Sequence, residues 1–348
     1  MPEKRAHTDR LSELNWIRGL AALFVILYHY TTRYQDVFGQ NESFTVNFPW
    51  GCGAVNAFFL LSGFLTAMTL KEDAQLLDYL KKRAVRLYPA YWACLLLTSG
   101  AMLLLWRERF VGIPALLVNF TMLQSFLGVS AVDGAYWTLM YELQLYVYVA
   151  ILLLLRKGKW LRPLALIGAA LSAILLLLEP TLGKNLIFKL ARFALFGQYG
   201  ISFFGGILLC SLKKNPRDLL AWTGFAACVI QSFFAHSTAY FAFFIATACV
   251  LLAVCFLHTE KHSRYLSFVS FWDKRTLSGL SFLAKISFPL YLLHQNIGMA
   301  MLSHMRAAGL TSEWWILVPL AVSILLAWAV WRFVEHPAGK LIQKKTIA

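Results

Sequence analysis

Arg18 and His29 stand eleven residues apart in Arg18-Gly-Leu-Ala-Ala-Leu-Phe-Val-Ile-Leu-Tyr-His29, and everything between them is apolar or aromatic. On a helix, eleven steps make about three turns plus ~20°, so both side chains share a face about 16 Å apart along the axis. Hydrocarbon penalises Arg or His by roughly 2.5 kcal/mol or more, so such groups line a water-filled cavity or ligand path. The bland alternative is a snorkelling Arg and a His hydrogen-bonded inside a bundle. A second apolar run opens Tyr136-Trp137-Thr138-Leu-Met-Tyr-Glu142 and carries a carboxylate about two turns in. A Glu142–His29 contact is expected, in which the acid orients the imidazole and raises its basicity, as behind a general base.

Two further clusters surround this pair. Lys81-Lys82-Arg83-Ala-Val-Arg86 sets two arginines three apart on one helical face, just before Pro89. Planar guanidinium forks suit phosphate groups, whereas a plain topogenic cluster needs only charge and is indifferent to spacing. Ser287-Phe-Pro289-Leu-Tyr291-Leu-Leu-His294 places another His in an apolar run after a proline that frees a backbone carbonyl. His294 reads first as a structural His bonded to that kink, with a role in the site as the alternative. In Phe58-Phe59-Leu-Leu-Ser62-Gly63, Gly63 reads as a helix-packing residue, and Ser62 as packing or substrate contact equally. Glu335-His336-Pro337 reads as a helix end.

These residues need a scaffold, and the composition says which. Of 348 residues, 59% are hydrophobic and only 14% charged, far too apolar for a soluble domain of this size. Apolar runs fall at about 15–33, 51–70, 87–106, 135–155, 162–180, 186–212, 218–235, 238–258, 281–304 and 313–334. Each is long enough to cross ~30 Å of hydrocarbon, which predicts an all-α, polytopic membrane protein of about ten transmembrane helices. The sixth run, with Lys189, Arg192 and several glycines, is expected to be long, tilted or interrupted. The stretch 110–130 is too short and polar for a span and suits a lateral or re-entrant helix.

The net charge of +15 would suggest a nucleic-acid partner in a soluble protein, but here the basic residues cluster between apolar runs. No nucleic-acid function is read from it. With a cytoplasmic N-terminus, the inside loops receive Lys4 to Arg10, Lys71 to Arg86, Arg156 to Arg162, Lys213 to Arg217, Lys261 to Arg275 and Lys340 to Lys345. The outside loops keep Arg33, Arg107, Arg109, Lys184 and Arg306. Ten spans with both termini cytoplasmic follow, with tails at 1–14 and 338–348 around a transmembrane domain at 15–337. The first helix is expected to be retained rather than cleaved, and no soluble domain is expected at either end. The six cysteines contain no CxxC pair, so neither a disulfide framework nor a metal site is indicated.

Taken in order, Arg18 with His29, Phe58-Phe59-Leu-Leu-Ser62-Gly63, Arg83-Ala-Val-Arg86, Trp137-Thr138-Leu-Met-Tyr-Glu142, Tyr291-Leu-Leu-His294 and Glu335-His-Pro337 resemble the landmarks of the acyltransferase 3 family of integral membrane acyltransferases. The resemblance implies transfer of an acyl group, most often acetyl, from cytoplasmic acyl-CoA to a hydroxyl of a cell-envelope glycan or a lipid-linked saccharide. It implies a catalytic His29, here paired with Glu142, with Arg18, Arg83 and Arg86 toward the acyl-CoA (acetyl-CoA) donor. Ser62, Trp137, Tyr291 and His294 are the candidate acceptor contacts, and the enzyme would reside in the cytoplasmic membrane. Asn56 departs from the Asp that many relatives carry before the Phe-Phe pair. The rival reading is a proton-coupled transporter or flippase using a Glu142–His29 relay; a membrane scaffold would leave the buried ionisable groups unexplained.

Overall fold

The computed structural model describes residues 2–39, 46–71, 73–235, 237–256 and 274–340, and no strand occurs among them. The basic residues Lys261, Arg264, Lys344 and Lys345 lie outside the described residues. Among the described residues thirteen α-helices follow one another: α1 (Pro2–Tyr30), α2 (Thr32–Phe38), α3 (Ala54–Thr69), α4 (Leu76–Leu105), α5 (Ile113–Asn119), α6 (Trp137–Leu154), α7 (Leu161–Leu182), α8 (Leu186–Ala194), α9 (Gly200–Lys214), α10 (Leu219–Ala235), α11 (Thr238–Phe256), α12 (Lys274–Ala307) and α13 (Leu317–Val330). Each of the ten apolar runs falls on a helix or, for the sixth, on the pair α8 and α9. That pair is bent by 46°. The break sits at Phe196, whose backbone is left-handed with φ 63°, so the expected interruption is real.

Among the described residues, five helices are long and apolar enough to cross a membrane, or six if the bent pair counts as one span. This is fewer than the ten expected. α10 and α11 are shorter apolar helices. α1 and α12 have the length, but Arg18, Tyr28, His29 and Tyr30 in one and Lys285, Ser287, His294, Gln295 and Asn296 in the other dilute their hydropathy. The two least apolar of the long helices are those that carry the histidines.

The chain forms two compact units. One comprises Met1–Ala21, Cys52–Gln75 and Val147–Ser281. Its centre is α9, buried along nearly its whole length and packed against α3, α7, α10 and α11. A Cβ on Gly63 would run into the carbonyl of Phe203, and one on Gly206 into the carbonyl of Leu60. The glycines therefore let the α3 and α9 backbones touch, the packing role read for Gly63. Ser62 is buried beside it, and Asn56 donates to the carbonyl of Tyr240 at 3.1 Å. Arg162 pairs with Asp218 at 2.6 Å, and Arg192 with Glu179.

The other unit comprises Ala22–Gly51, Leu76–Tyr146 and Phe282–Ala348. In it the 110–130 stretch makes no span, since its regular part is the seven-residue α5. Three aromatic donors on α4 hold it: Tyr88 to the carbonyl of Thr121 (3.0 Å), Tyr91 to that of Asn119 (2.8 Å) and Trp92 to that of Phe120 (2.9 Å). The Asn119 amide closes the loop, donating to the carbonyls of Ala115 and Ser130 and accepting from the N–H of Val132. At the other end of the unit, the helix does not stop at Glu335 as expected. A π-helical turn, Trp331–Glu335, carries it on through Pro337 to Lys340.

Gly206→Val should lower the stability of the detergent-solubilised protein by about 1–3 kcal/mol or more, because its β-carbon must push α3 away. A β-carbon at Gly100 meets nothing within 4 Å, so Gly100→Ala should raise stability by up to about 1 kcal/mol. Thermal unfolding monitored by tryptophan fluorescence compares the two.

Candidate active site

His29 lies in the last turn of α1, half-buried, and His294 lies within α12 with no exposed surface. Nε2 of His294 is 3.1 Å from Nδ1 of His29, and the rings meet edge-on with centroids 4.8 Å apart. Each Nδ1 also faces a carbonyl oxygen, Val25 O at 2.8 Å for His29 and Tyr291 O at 2.8 Å for His294. A carbonyl can only accept, so both neutral rings carry their proton on Nδ1. His29 then shares its Nδ1–H between Val25 O and the Nε2 lone pair of His294. The consequence is a defined Nε2 lone pair on His29, the side on which a base must act.

This arrangement corrects two expectations. The group behind His29 is His294, not Glu142; Glu142 accepts a hydrogen bond from Tyr146, one helical turn along α6. Likewise His294 is bonded not to the carbonyl that Pro289 leaves without a donor but to Tyr291 O in its own turn, and it belongs to the pair. Tyr291 contributes a second contact, its hydroxyl lying 3.2 Å from Thr138 Oγ1. Trp137 is half-buried at the start of α6, edge-on to Tyr141 with ring centroids 6.0 Å apart.

Residues that the sequence reading passed over frame the histidines. Tyr30, fully buried, donates to the carbonyl of His294 at 2.9 Å and lies 2.9 Å from Ser323 Oγ on α13. Its ring fits because residue 298 is glycine: a Cβ there would collide with the Tyr30 ring. Asp133, also fully buried, accepts from the N–H of Ala135 at 2.8 Å and from that of Asn296 at 2.9 Å. Asn296 returns a side-chain bond to Val132 O at 2.9 Å. Burial pushes the Asp133 carboxyl up to about 7 against the pull of those two N–H groups; protonated or not, each oxygen keeps a lone pair to accept them. The available signal was position: a tyrosine adjoining His29 and an acid at the threshold of α6.

A separate cluster gathers the arginines. The Arg83 guanidinium lies 5.1 Å from the ring centre of Tyr79 and 4.7 Å from that of Tyr146, a stacked cation held by aromatic faces. Arg86 faces Tyr146, Glu142 and Glu335, so the π-helical turn brings an acid to the arginine pair. Arg18 is half-buried on α1. The geometry thus separates a histidine pair from a cluster of arginines packed with aromatic rings and acids.

The model of a family described as an acyltransferase domain matches residues 11–332. A relative named Nodulation protein 10, from Rhizobium leguminosarum bv. viciae, is 25% identical over 336 residues, covering 86% of each chain. No solved structure matches. The family match covers both histidines, the arginine cluster and the π-helical turn up to Arg332, and the apolar helices make the chain a multi-pass membrane protein. The chain belongs to the acyltransferase 3 family, and it is a membrane acyltransferase.

Proposed function

We propose that this acyltransferase moves an acyl group, acetyl in the first instance, from acyl-CoA to a hydroxyl of a cell-envelope glycan or lipid-linked saccharide. The observation that carries the reading is the placement of His29 Nδ1 between Val25 O at 2.8 Å and Nε2 of His294 at 3.1 Å, from which a proton on Nδ1 and a lone pair on Nε2 follow. In a direct transfer Nε2 takes the proton of the acceptor hydroxyl as its oxygen attacks the thioester carbonyl. The C–O ester bond forms, the C–S bond breaks, and the His29 imidazolium returns the proton to the departing CoA thiolate. During the step Nε2 of His294 accepts from Nδ1–H of His29 and stabilises the positive ring. Arg83 and Arg86, with Arg18, hold the donor's phosphates, since charge-assisted forks are the strongest neutral-pH contacts for that group. Ser62, Trp137 and Tyr291 are the proposed acceptor contacts. The proposed topology in the cytoplasmic membrane is ten spans with both termini inside, so that donor and acceptor approach from opposite faces.

His29→Ala should abolish transfer in a folded, inserted protein, a loss on the order of 10²–10⁴-fold for a missing base. His294→Gln, which keeps an oxygen able to accept from Nδ1–H, should be milder than His294→Phe. Normal rates in His29→Ala would remove the base from the scheme.

Arg83→Ala and Arg86→Ala should raise KM for acetyl-CoA by the roughly 1.5–3 kcal/mol of a charge-assisted bond, about 10- to 150-fold. Arg86→Lys should recover part of it. Because Glu142 sits with Tyr146 and Arg86, Glu142→Gln should act on the same KM more than on kcat. Steady-state kinetics with acetyl-CoA varied separates these outcomes.

In sealed, oriented vesicles, labelled acetyl-CoA on the cytoplasmic face should leave alkali-labile label on an impermeant glycan fraction confined to the other face. Label only when both share the cytoplasmic compartment would place the reaction on a precursor before export. A transporter, the rival reading, would move the compound without esterifying it.

A further inference from the structure

The helix that carries His294 is gripped from outside at the turn where it matters. Pro289 has no N–H, so the Lys285 carbonyl loses its helical partner and α12 is softened one turn before His294. Around that turn, backbone groups are addressed by other segments of the same unit: the carbonyl of His294 by the phenol of Tyr30, and the amide of Asn296 by the carboxylate of Asp133. Asn296 also donates from its side-chain amide to Val132 O, which makes a two-bond clasp with both donors on Asn296. Tyr30, Ser323 and Asp133 are all fully buried, so water does not compete for these bonds. Consecutive residues of α1 therefore hold residue 294 twice, His29 at its ring and Tyr30 at its carbonyl.

We propose that Tyr30 and Asp133 are positioning residues, clamping the 294–296 turn of α12 so that Nε2 of His294 stays on the Nδ1–H of His29 and keeps the opposite nitrogen of His29 unprotonated. The proposal rests on the reading of His29 as the base. Hydrogen-bond geometry is lost within a few tenths of an ångström of 3.1 Å, and misplacement of a reacting group by 1 Å costs on the order of 10²-fold in rate. The rings of Tyr30 and His294 lie with centroids 6.5 Å apart, whereas the Tyr30 hydroxyl bonds the backbone carbonyl of His294 and Ser323 Oγ, so removing the oxygen alone acts through that backbone bond.

The test uses full-length protein in nanodiscs, with CoA release from acetyl-CoA in the presence of a crude envelope-glycan fraction, alongside ¹⁵N NMR of histidine-labelled samples. Tyr30→Phe keeps the ring and removes one oxygen; kcat should fall roughly 10- to 100-fold with KM for acetyl-CoA within about twofold, and the His29 ¹⁵N signals should move from the Nδ1–H tautomer toward a mixture. Asp133→Asn retains one carbonyl acceptor and should keep more activity than Asp133→Ala. Should Asp133→Ala fail to fold, the Tyr30→Phe spectrum still decides. Unchanged histidine signals in folded Tyr30→Phe, whatever its rate, would overturn the clamp. The reading beneath it is tested separately by His29→Ala: transfer persisting there removes the base, while the histidine spectrum of Tyr30→Phe continues to report the clamp.

Discussion

One contact organises the site: an imidazole nitrogen 3.1 Å from another imidazole nitrogen. Two neutral histidines can share such a contact only if one presents N–H and the other a lone pair, and two carbonyls choose which. Protonation of His294 would set donor against donor, whereas a positive His29 still presents the same Nδ1–H to the lone pair of His294. The pair therefore requires a neutral His294, and that ring has no exposed surface. That is also why the base proposed for this place can dispense with a carboxylate behind it. An acid would favour the protonated ring; a second imidazole orients without adding charge.

The scaffold was legible where physics is local. Apolar runs marked every helix that the structure describes in those stretches, and the glycines and positive charges of the sixth run foretold its break. Gly63 was read as packing from its neighbours alone, and it packs. The spacing of Arg83 and Arg86 foretold a shared face, on which the structure adds the rings of Tyr79 and Tyr146.

The pairings were not legible, because depth in a membrane is one coordinate and a contact needs three. Glu142 and His29 have similar expected depths, but Glu142 has Tyr146 four residues on, on its own helix face, where such pairs meet. That neighbour could have been weighed. The His29–His294 partnership could not, since the two are 265 residues apart and nothing in a single sequence ties them. Glu335 was misjudged for a similar reason: a Pro two residues later reads as a stop, whereas the π-helical turn before it absorbs the change in register and leaves the acid facing Arg86.

The docking of the 113–121 segment has a consequence for how such an enzyme can diversify. Tyr88, Tyr91 and Trp92 reach main-chain carbonyls of Thr121, Asn119 and Phe120, and every amino acid has a carbonyl. Apart from Asn119, whose amide ties the loop together, the side chains here are not what the anchor recognises. Ile113, Leu117, Phe126 and Leu127 point outward. Their identities can drift from one descendant to the next while the main-chain docking of the segment holds, so this surface can change at little risk to the frame that carries it.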